Sequence, residues 1–466
     1  MTEATSAADA TAPAGARRAS PAPVGRPDVV VVGGGVAGLV AARDLALAGR
    51  RVVLLERSHR LGGEVARHTV AGLDLDAGAE SFATKGGVVA AFLDELGLGA
   101  DVVLPDPRGA WVQHGAGEAF PLPRTGLLGI PGDPAADDVV AVIGRAAAEE
   151  ALRLDSADPA VGADHDTVGP FVRARMGAAV LDRLVAPIVG GVHSVHPDAL
   201  AVDRVAPGLR AALAREGSLA AAVRSVRALA PAGSAVAGLR GGMARLVDAL
   251  VDDLGRLGVD VRLGTDVAAL DARSVSLATG EVLTPPHVVL AVGEGAARAL
   301  EGRPRPVGGG LITLATIVLR DARLDAAPRG TGVLVAPGAV GVRAKALTHG
   351  TAKWPWLAEA AQGRHVLRLS YDSPVVDAAT SDDELRGQAL ADASALLGVE
   401  LRAGSVEGTA RVVWDAPLPE EAHRASPSPL DGVVRVGGAV AGRGLAAVVV
   451  RSRRTVAELV SAETTG

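Results

Sequence analysis

Asp28–Glu56, DVVVVGGGVAGLVAARDLALAGRRVVLLE, decides the fold. Val29 to Val32 is an unbroken β-branched run, the pattern of a strand buried on both faces of a parallel sheet. It breaks at Gly33-Gly34-Gly35, and Gly38 follows, giving G-x-G-x-x-G at a strand-to-helix junction. Gly33 permits the tight turn, Gly35 lets the backbone approach a pyrophosphate, and Gly38 lets the helix lie close on the sheet. The helix carries Leu39, Ala42, Leu45 and Ala46 on one face and ends at Gly49. Its N-terminus, from Val36, offers amides and a dipole to a doubly charged phosphate bridge. A second strand, Val52 to Leu55, ends in Glu56, placed to accept hydrogen bonds from a ribose diol. Strand, helix, strand and acid all stand at the spacing a dinucleotide-binding βαβ unit needs.

Working outward, Arg60-Leu61-Gly62-Gly63 follows the acid, and then GLDLDAGAESF from Gly72 to Phe82. A glycine pair here lets the chain wrap the far side of a long cofactor. Leu73, Leu75 and Ala77 alternate with Asp74, Asp76 and Gly78, reading as a strand that returns towards it. Arg57 is placed to meet a 2′-phosphate, but Glu56 beside it would repel one. The pattern resembles the FAD-binding segment of the amine oxidase and protoporphyrinogen oxidase group of flavoproteins. That resemblance implies FAD contacts from Gly33, Gly35, Val36, Gly38, Glu56, Arg57, Gly62, Gly63, Gly78, Ala79, Glu80 and Ser81. The alternative is a nicotinamide dehydrogenase with an unrelated glycine-rich loop.

At 466 residues the chain exceeds what one hydrophobic core serves, so two or three domains are expected. Aromatics make up only 2% against 48% hydrophobic residues, so the core must be built from Ala, Val and Leu. A net charge of -6 gives no basic footprint and argues against a nucleic-acid partner. Without cysteine, disulfides, thiolate metal sites, Cys nucleophiles and a cysteinyl-flavin bond are excluded, leaving redox work to a bound cofactor. Apolar runs such as Leu184–Val192 and Leu445–Val450 fall short of the ~20 residues that span a bilayer. A protein of the cytoplasm is expected, without a transmembrane segment.

In chain order, residues 1–27 read as a disordered tail. GGVVAAFLDELGL, from Gly86, is a short amphipathic helix, Trp111–Leu122 a hairpin turning at Gly115–Gly117, and Ala135–Leu154 and Thr167–Pro187 two helices. The sequence around Phe171–Gly177 and Gly190–Leu200 resembles a signature of protoporphyrinogen and coproporphyrinogen oxidases, with Ala201 where that family usually has Ser. His193 and His196, lacking a third ligand, suit turn hydrogen bonding better than a metal. Gly241-Gly242 opens a helix from Ala244. Strands at Val259–Leu263 and Pro286–Val292 return the chain to the nucleotide domain, where the resemblance gives Val267 a backbone contact to adenine.

Leu311–Leu319, Gly332–Val335, Val342–Leu347 and Val366–Tyr371 read as strands of a second sheet. The stretch Lys345–Pro355 resembles the substrate-domain block of the porphyrinogen oxidases, with the pair Lys353-Trp354, and Arg368 matches that family's arginine. Trp354, Trp356 and Tyr371 are three of the nine aromatics, which suits stacking on a flat macrocycle or ordinary packing at a sheet edge. Lys345, Lys353, Arg343, Arg368 and Trp354 are the substrate candidates, the cations as partners for propionates. At the C-terminus a strand, Val433–Gly437, leads through glycines into a helix from Ala446. Gly437, Gly442, Gly444 and Leu445 match the family's flavin-facing turn; Gly438, Val440, Ala446, Ala447 and Val448 depart from it. Gly437, Gly444, Leu445 and Val448 are the cofactor candidates there.

The expected fold is α/β. A discontinuous Rossmann-like FAD domain (28–85, 233–300, 407–463) would carry a largely helical insertion (86–232) and a mixed-sheet substrate domain (301–406). The resemblance implies an FAD-dependent oxidase that converts coproporphyrinogen III to coproporphyrin III with O2, and a transfer partner in haem biosynthesis. No metal is expected, and no acid–base pair stands out in the sequence. The alternatives are protoporphyrinogen IX oxidation, another amine oxidase or desaturase chemistry, and a non-catalytic FAD-binding homologue.

Overall fold

The computed structural model describes residues 26–115, 117–123, 126–158, 160–193, 195–228, 236–304, 310–415, 428–442 and 444–464. Most of the expected tail, residues 1–25, lies outside them, as do Ala416–Pro419 and Arg443.

The organising element is a five-stranded parallel sheet in the order Asp260–Arg262, β2 (Val52–Leu55), β1 (Val29–Val32), His287–Leu290, Val433–Arg435. Its strands come from both ends and the middle of the chain. All four residues of β1 are buried, as a β-branched run covered on both faces requires. Val29 and Val31 join one core with α1 (Val36–Leu47), the helix Ala244–Arg256 and the C-terminal helix Leu445–Thr464. Val30 and Val32 join another, beneath the small antiparallel sheet Val267–Asp271, Ser274–Leu277, Val282–Leu283. The two-residue side-chain period of a strand thus assigns alternate valines to opposite layers.

A hairpin, β3 (Arg67–Val70) and β4 (Leu73–Asp76), leaves this layer and carries the chain back towards Gly62-Gly63. The second sheet has seven strands, ordered Val406–Asp415, Leu311–Leu319, His365–Asp372, Ala346–His349, Gly332–Val335, Trp111–His114, Glu118–Pro121. It is mixed: Gly332–Val335 and Trp111–His114 run parallel, the other pairs antiparallel. The hairpin within 86–232 is therefore an edge of this sheet. Helix Asp382–Leu397 covers one face, and its buried Asp392 accepts the Tyr371 hydroxyl at 2.9 Å. Asp392 also accepts the N–H groups of Arg343 and Ala344, both at 3.1 Å. That explains why the strand expected at Val342 begins only at Ala346.

The helical layer differs from expectation at its glycines. Ala135–Leu154 is two helices, Asp137–Ile143 and Arg145–Asp155, broken at Gly144 with φ +83°. Helix Val168–Val180 is kinked at Gly177, also φ +83°. A positive φ is open to glycine and costly for other residues, so both breaks are set by residue type. Arg175, fully buried, donates to the carbonyls of Asp155 (2.9 Å) and Asp158 (2.8 Å). The Asp155 carboxylate accepts the N–H groups of Leu219 and Ala220 at the start of helix Leu219–Ala228, tying three helices together.

Candidate cofactor and substrate site

The glycine turn is built as its sequence suggests. A Cβ on Gly38 would stand 1.9 Å from the Gly33 carbonyl oxygen, so α1 can lie against β1 only without a side chain there. Gly35 caps α1 with extended backbone and no side-chain hydrogen bond, leaving the first-turn N–H groups without a capping side chain. Opposite it, Gly62 forms a parallel bridge with Gly35, and its N–H donates to Gly34 O at 2.8 Å. Gly35 and Gly63 face each other with only Cα atoms between. Glu56 accepts Gly34 N–H at 2.7 Å and Ser58 N–H at 2.8 Å, which fixes its carboxylate at the end of β2 with lone pairs to spare for a diol. Arg57 is exposed beside it. Thr265 N–H donates to Glu56 O at 2.9 Å, bringing the segment of Val267 to the same end.

Continuation of the β3–β4 hairpin returns residues 77–81 to this loop. Ala77 N–H donates to Ala66 O and Ala79 N–H to Glu64 O. A Cβ on Gly78 would meet Glu64 O at 2.0 Å, so glycine is required by the close approach. Trp414 donates its Nε1–H to Ala77 O at 3.1 Å. Ser81 is half-buried behind Glu80 in sequence.

Glu80 is the centre of an ion cluster. Its carboxylate is held by Lys353 Nζ at 2.6 Å and Arg368 Nη2 at 2.9 Å, and Arg368 also donates to Gly78 O at 2.8 Å. Burial would raise the Glu80 carboxyl, but Arg368 and then Lys353 outweigh it and hold it at about 2. One cofactor candidate and two substrate candidates thus form a single ion cluster joining the hairpin to the second sheet. Lys353 and Arg368 already carry a counter-charge in Glu80.

Trp354 adjoins this cluster. It is 3% exposed, its ring edge lies against Gly238, where a Cβ would stand 2.8 Å away, and Lys353 Nζ sits 5.1 Å from its centroid. Its ring is buried, and it borders a small cavity with Glu80, Arg368 and Trp356. Tyr371 is likewise buried. Lys345 is ion-paired with Asp372, while the Arg343 side chain is exposed. Both lie at the far end of strand Ala346–His349 from Lys353. His196 Nδ1 accepts the N–H of Asp198 at 3.2 Å, a turn contact; the His193 side chain lies outside the described residues.

Asp76, which the sequence reading passed over, belongs to the cluster. Its carboxylate accepts Met243 N–H at 3.1 Å and Ala244 N–H at 3.4 Å, at the start of helix Ala244–Arg256. Burial pushes it up to about 6, the Met243 N–H pulls the other way, and the neighbouring Glu80 adds to the rise. The signal was its alternation with Leu73 and Leu75 ahead of a helix opened by Gly241-Gly242.

At the C-terminus Gly437, φ +92°, is buried, and a Cβ there would meet Ala37 Cβ at 3.3 Å. Val436, Val449 and Val456 share a core with Val36 and Leu39 of α1, and Leu445 and Val448 pack on its edge. Gly444, φ +92°, is exposed just ahead of the helix. The two glycine turns therefore adjoin. An uncapped helix N-terminus between facing glycines, an oriented acid and a second glycine turn fit the pyrophosphate, ribose and ring of an extended dinucleotide such as FAD.

Fold and site define a dinucleotide-binding α/β protein with an appended mixed sheet. Residues 36–432 match the family model of flavin containing amine oxidoreductases, and the chain belongs to that family. It is an oxidoreductase whose cofactor is FAD. It is 28% identical over 439 residues to a coproporphyrinogen III oxidase of Propionibacterium freudenreichii subsp. freudenreichii, covering 84% of this chain and 81% of that protein. To a coproporphyrinogen III oxidase of Mycobacterium leprae it is 32% identical over 391 residues, covering 79% and 83%. Among solved structures, a protein of Exiguobacterium sp. 255-15 assigned as a protoporphyrinogen oxidase superposes with a TM-score of 0.80 at 23% identity, over 93% of this chain and 98% of that one. That last likeness establishes the fold. Among the described residues, no helix is long and apolar enough to cross a membrane.

Proposed function

We propose that the protein is an FAD-dependent coproporphyrinogen III oxidase that forms coproporphyrin III with O2 as the electron acceptor. The observation that carries this reading is the extent of similarity to relatives of that name. It runs over about four fifths of the chain, more than the dinucleotide-binding segments alone could supply. Bound FAD supplies the two-electron acceptor. The chain's own residues hold and align: the Gly33–Gly38 turn and Glu56 fix one end of the cofactor, and Gly437–Leu445 borders the other. The Glu80–Lys353–Arg368 cluster keeps the second sheet in register with the cofactor layer. A porphyrinogen is electron-rich and its N–H groups release protons readily, so positioning is the main demand on the protein. Arg343, exposed, is the candidate partner for a substrate propionate.

Under this reading segments 28–85, 233–300 and 407–463 serve FAD and 301–406 the substrate. The product passes to a partner in haem biosynthesis in the cytoplasm. The test is anaerobic mixing of flavin-loaded protein with coproporphyrinogen III, followed by air. Bleaching of the flavin spectrum, then porphyrin fluorescence and peroxide, is expected. Protoporphyrinogen IX run in parallel decides substrate preference, and flavin loading without turnover of either would overturn the proposal.

A further inference from the structure

Two histidines of the second sheet are buried against each other, away from the glycine turns. His349, the last residue of strand Ala346–His349, is 1% exposed, and His365, the first residue of strand His365–Asp372, is 7% exposed. His349 Nε2 and His365 Nδ1 stand 3.1 Å apart, with the ring centroids at 5.2 Å. On the outer side His365 Nε2 lies 3.1 Å from Asp325 Oδ1, on a side chain that faces solvent. On the inner side His349 Nδ1 is buried and meets no hydrogen-bond partner.

This chain of contacts fixes the protons. A carboxylate only accepts, so His365 carries its hydrogen on Nε2 and accepts at Nδ1. His349 then donates from Nε2, which leaves its Nδ1 bare, in keeping with the missing partner. An added proton upsets the arrangement whichever nitrogen takes it. On His365 Nδ1 it sets two N–H groups against each other, unless His349 moves its own hydrogen to Nδ1, where no acceptor waits. On His349 Nδ1 it makes a cation inside the sheet, again without an acceptor. Burial holds His349 down at about 3, with His365 and then Arg108 adding to the fall. Its contribution is therefore present above the ordinary value near 6.5 and is lost progressively as pH falls from there towards about 3.

The charges around the pair have partners of their own. Arg108, which faces His349, is paired with Asp106 at 2.8 Å, and Asp321, which faces His365, with Arg323 at 2.6 Å. Arg320 and Arg364, beside the pair along the strands, are directed to Glu407 at 3.2 Å and to Ala361 O at 2.7 Å. His349 also caps the short helix Gly350–Lys353, whose last residue holds Glu80. Within that helix Thr351 Oγ1 accepts the N–H of Val366, next to His365, at 3.3 Å. The histidine pair thus sits at the root of the segment that ties the second sheet to the cofactor layer.

We infer that the His349–His365 pair is an acid-released latch: neutral, it holds helix Gly350–Lys353 on the second sheet, and on gaining a proton it frees that helix and loosens Lys353 from Glu80. This goes beyond the oxidase reading and does not depend on the substrate.

The experiment is hydrogen–deuterium exchange of the full-length, flavin-loaded protein from pH 7.5 to pH 5.0, corrected for the intrinsic rate. Exchange over residues 350–357 is expected to rise about tenfold or more, towards the ~30-fold that a freed histidine allows at pH 5. Helix Asp382–Leu397, in the core of the same sheet, should stay protected. His349→Gln keeps a donor towards His365 but takes no proton, and is expected to abolish the rise. Asp325→Asn, at an exposed site, keeps an acceptor and removes the negative charge beside the added proton. It is expected to move the midpoint of the rise towards acid by about half a pH unit or more. Asp76 cannot produce the rise, since its contribution is retained in acid. No rise in the natural chain, or an equal rise across helix Asp382–Leu397, overturns the latch. So does a rise that survives His349→Gln, or a midpoint that Asp325→Asn leaves in place; the second comparison decides if the first variant does not fold.

Discussion

Glu80 stands between two cations, and removing its charge leaves both facing each other in a half-dry pocket. Glu80→Gln is expected to cost roughly 2–3 kcal/mol, below the 3–5 typical of fully buried pairs because each partner keeps about a sixth of its side chain exposed. Urea unfolding measures it, and a loss under about 0.5 kcal/mol would reduce the cluster to a surface ion pair. The two acids also give opposite pH dependences. Glu80 is depressed to about 2, so its contribution is present above the unfolded value near 4.3 and is lost as pH falls through about 2. Asp76 is raised to about 6, so its contribution is present in acid and is lost as pH rises through about 6. Asp76→Asn keeps a carbonyl oxygen for the Met243 N–H and removes the ionisation. It is expected to be more stable relative to the natural chain at pH 8 than at pH 4. Equal differences at both pH values would show that Asp76 only caps its helix.

The strand–turn–helix element separates two uses of glycine. Gly38 is required by packing, since a Cβ would collide with Gly33 O at 1.9 Å. At Gly35, by contrast, the nearest atom to a Cβ is Gly63 Cα at 4.0 Å, and φ is −69°. Gly35→Ala is therefore expected to fold with an unchanged melting temperature as apoprotein and to bind FAD at least roughly tenfold more weakly, because the methyl occupies the pyrophosphate path. Gly38→Ala is expected to lower the melting temperature of the apoprotein itself. Thermal melts beside flavin-fluorescence titration check the pair; undiminished FAD affinity in Gly35→Ala would move the pyrophosphate elsewhere.

Across the whole molecule, the parallel sheet is assembled from strands near residues 29, 287 and 433, so the FAD-binding layer closes only when distant parts of the chain meet. A ligand touching both glycine turns stabilises that closure, by about 2.7 kcal/mol at a hundredfold excess over Kd. Stripping FAD is expected to lower the melting temperature and to raise amide exchange in α1 and the C-terminal helix together. The seven-stranded sheet, with its own core beneath helix Asp382–Leu397, should exchange unchanged. Uniform loss of protection would mean that the two layers unfold as one.

The run Val29–Val32, the glycines at 33, 35 and 38 and the acid at 56 determined the first βαβ unit by themselves, because backbone preference and side-chain period act over a few residues. Likewise the alternation in Leu311–Leu319 was enough to indicate a second sheet. Sequence spacing could not show that Glu80 lies between Lys353 and Arg368, that Trp354 packs on Gly238, or that Asp392 halts a strand at Ala346. Charge pairing and burial depend on which surfaces are dehydrated together, and only the packing of one layer on the other decides that.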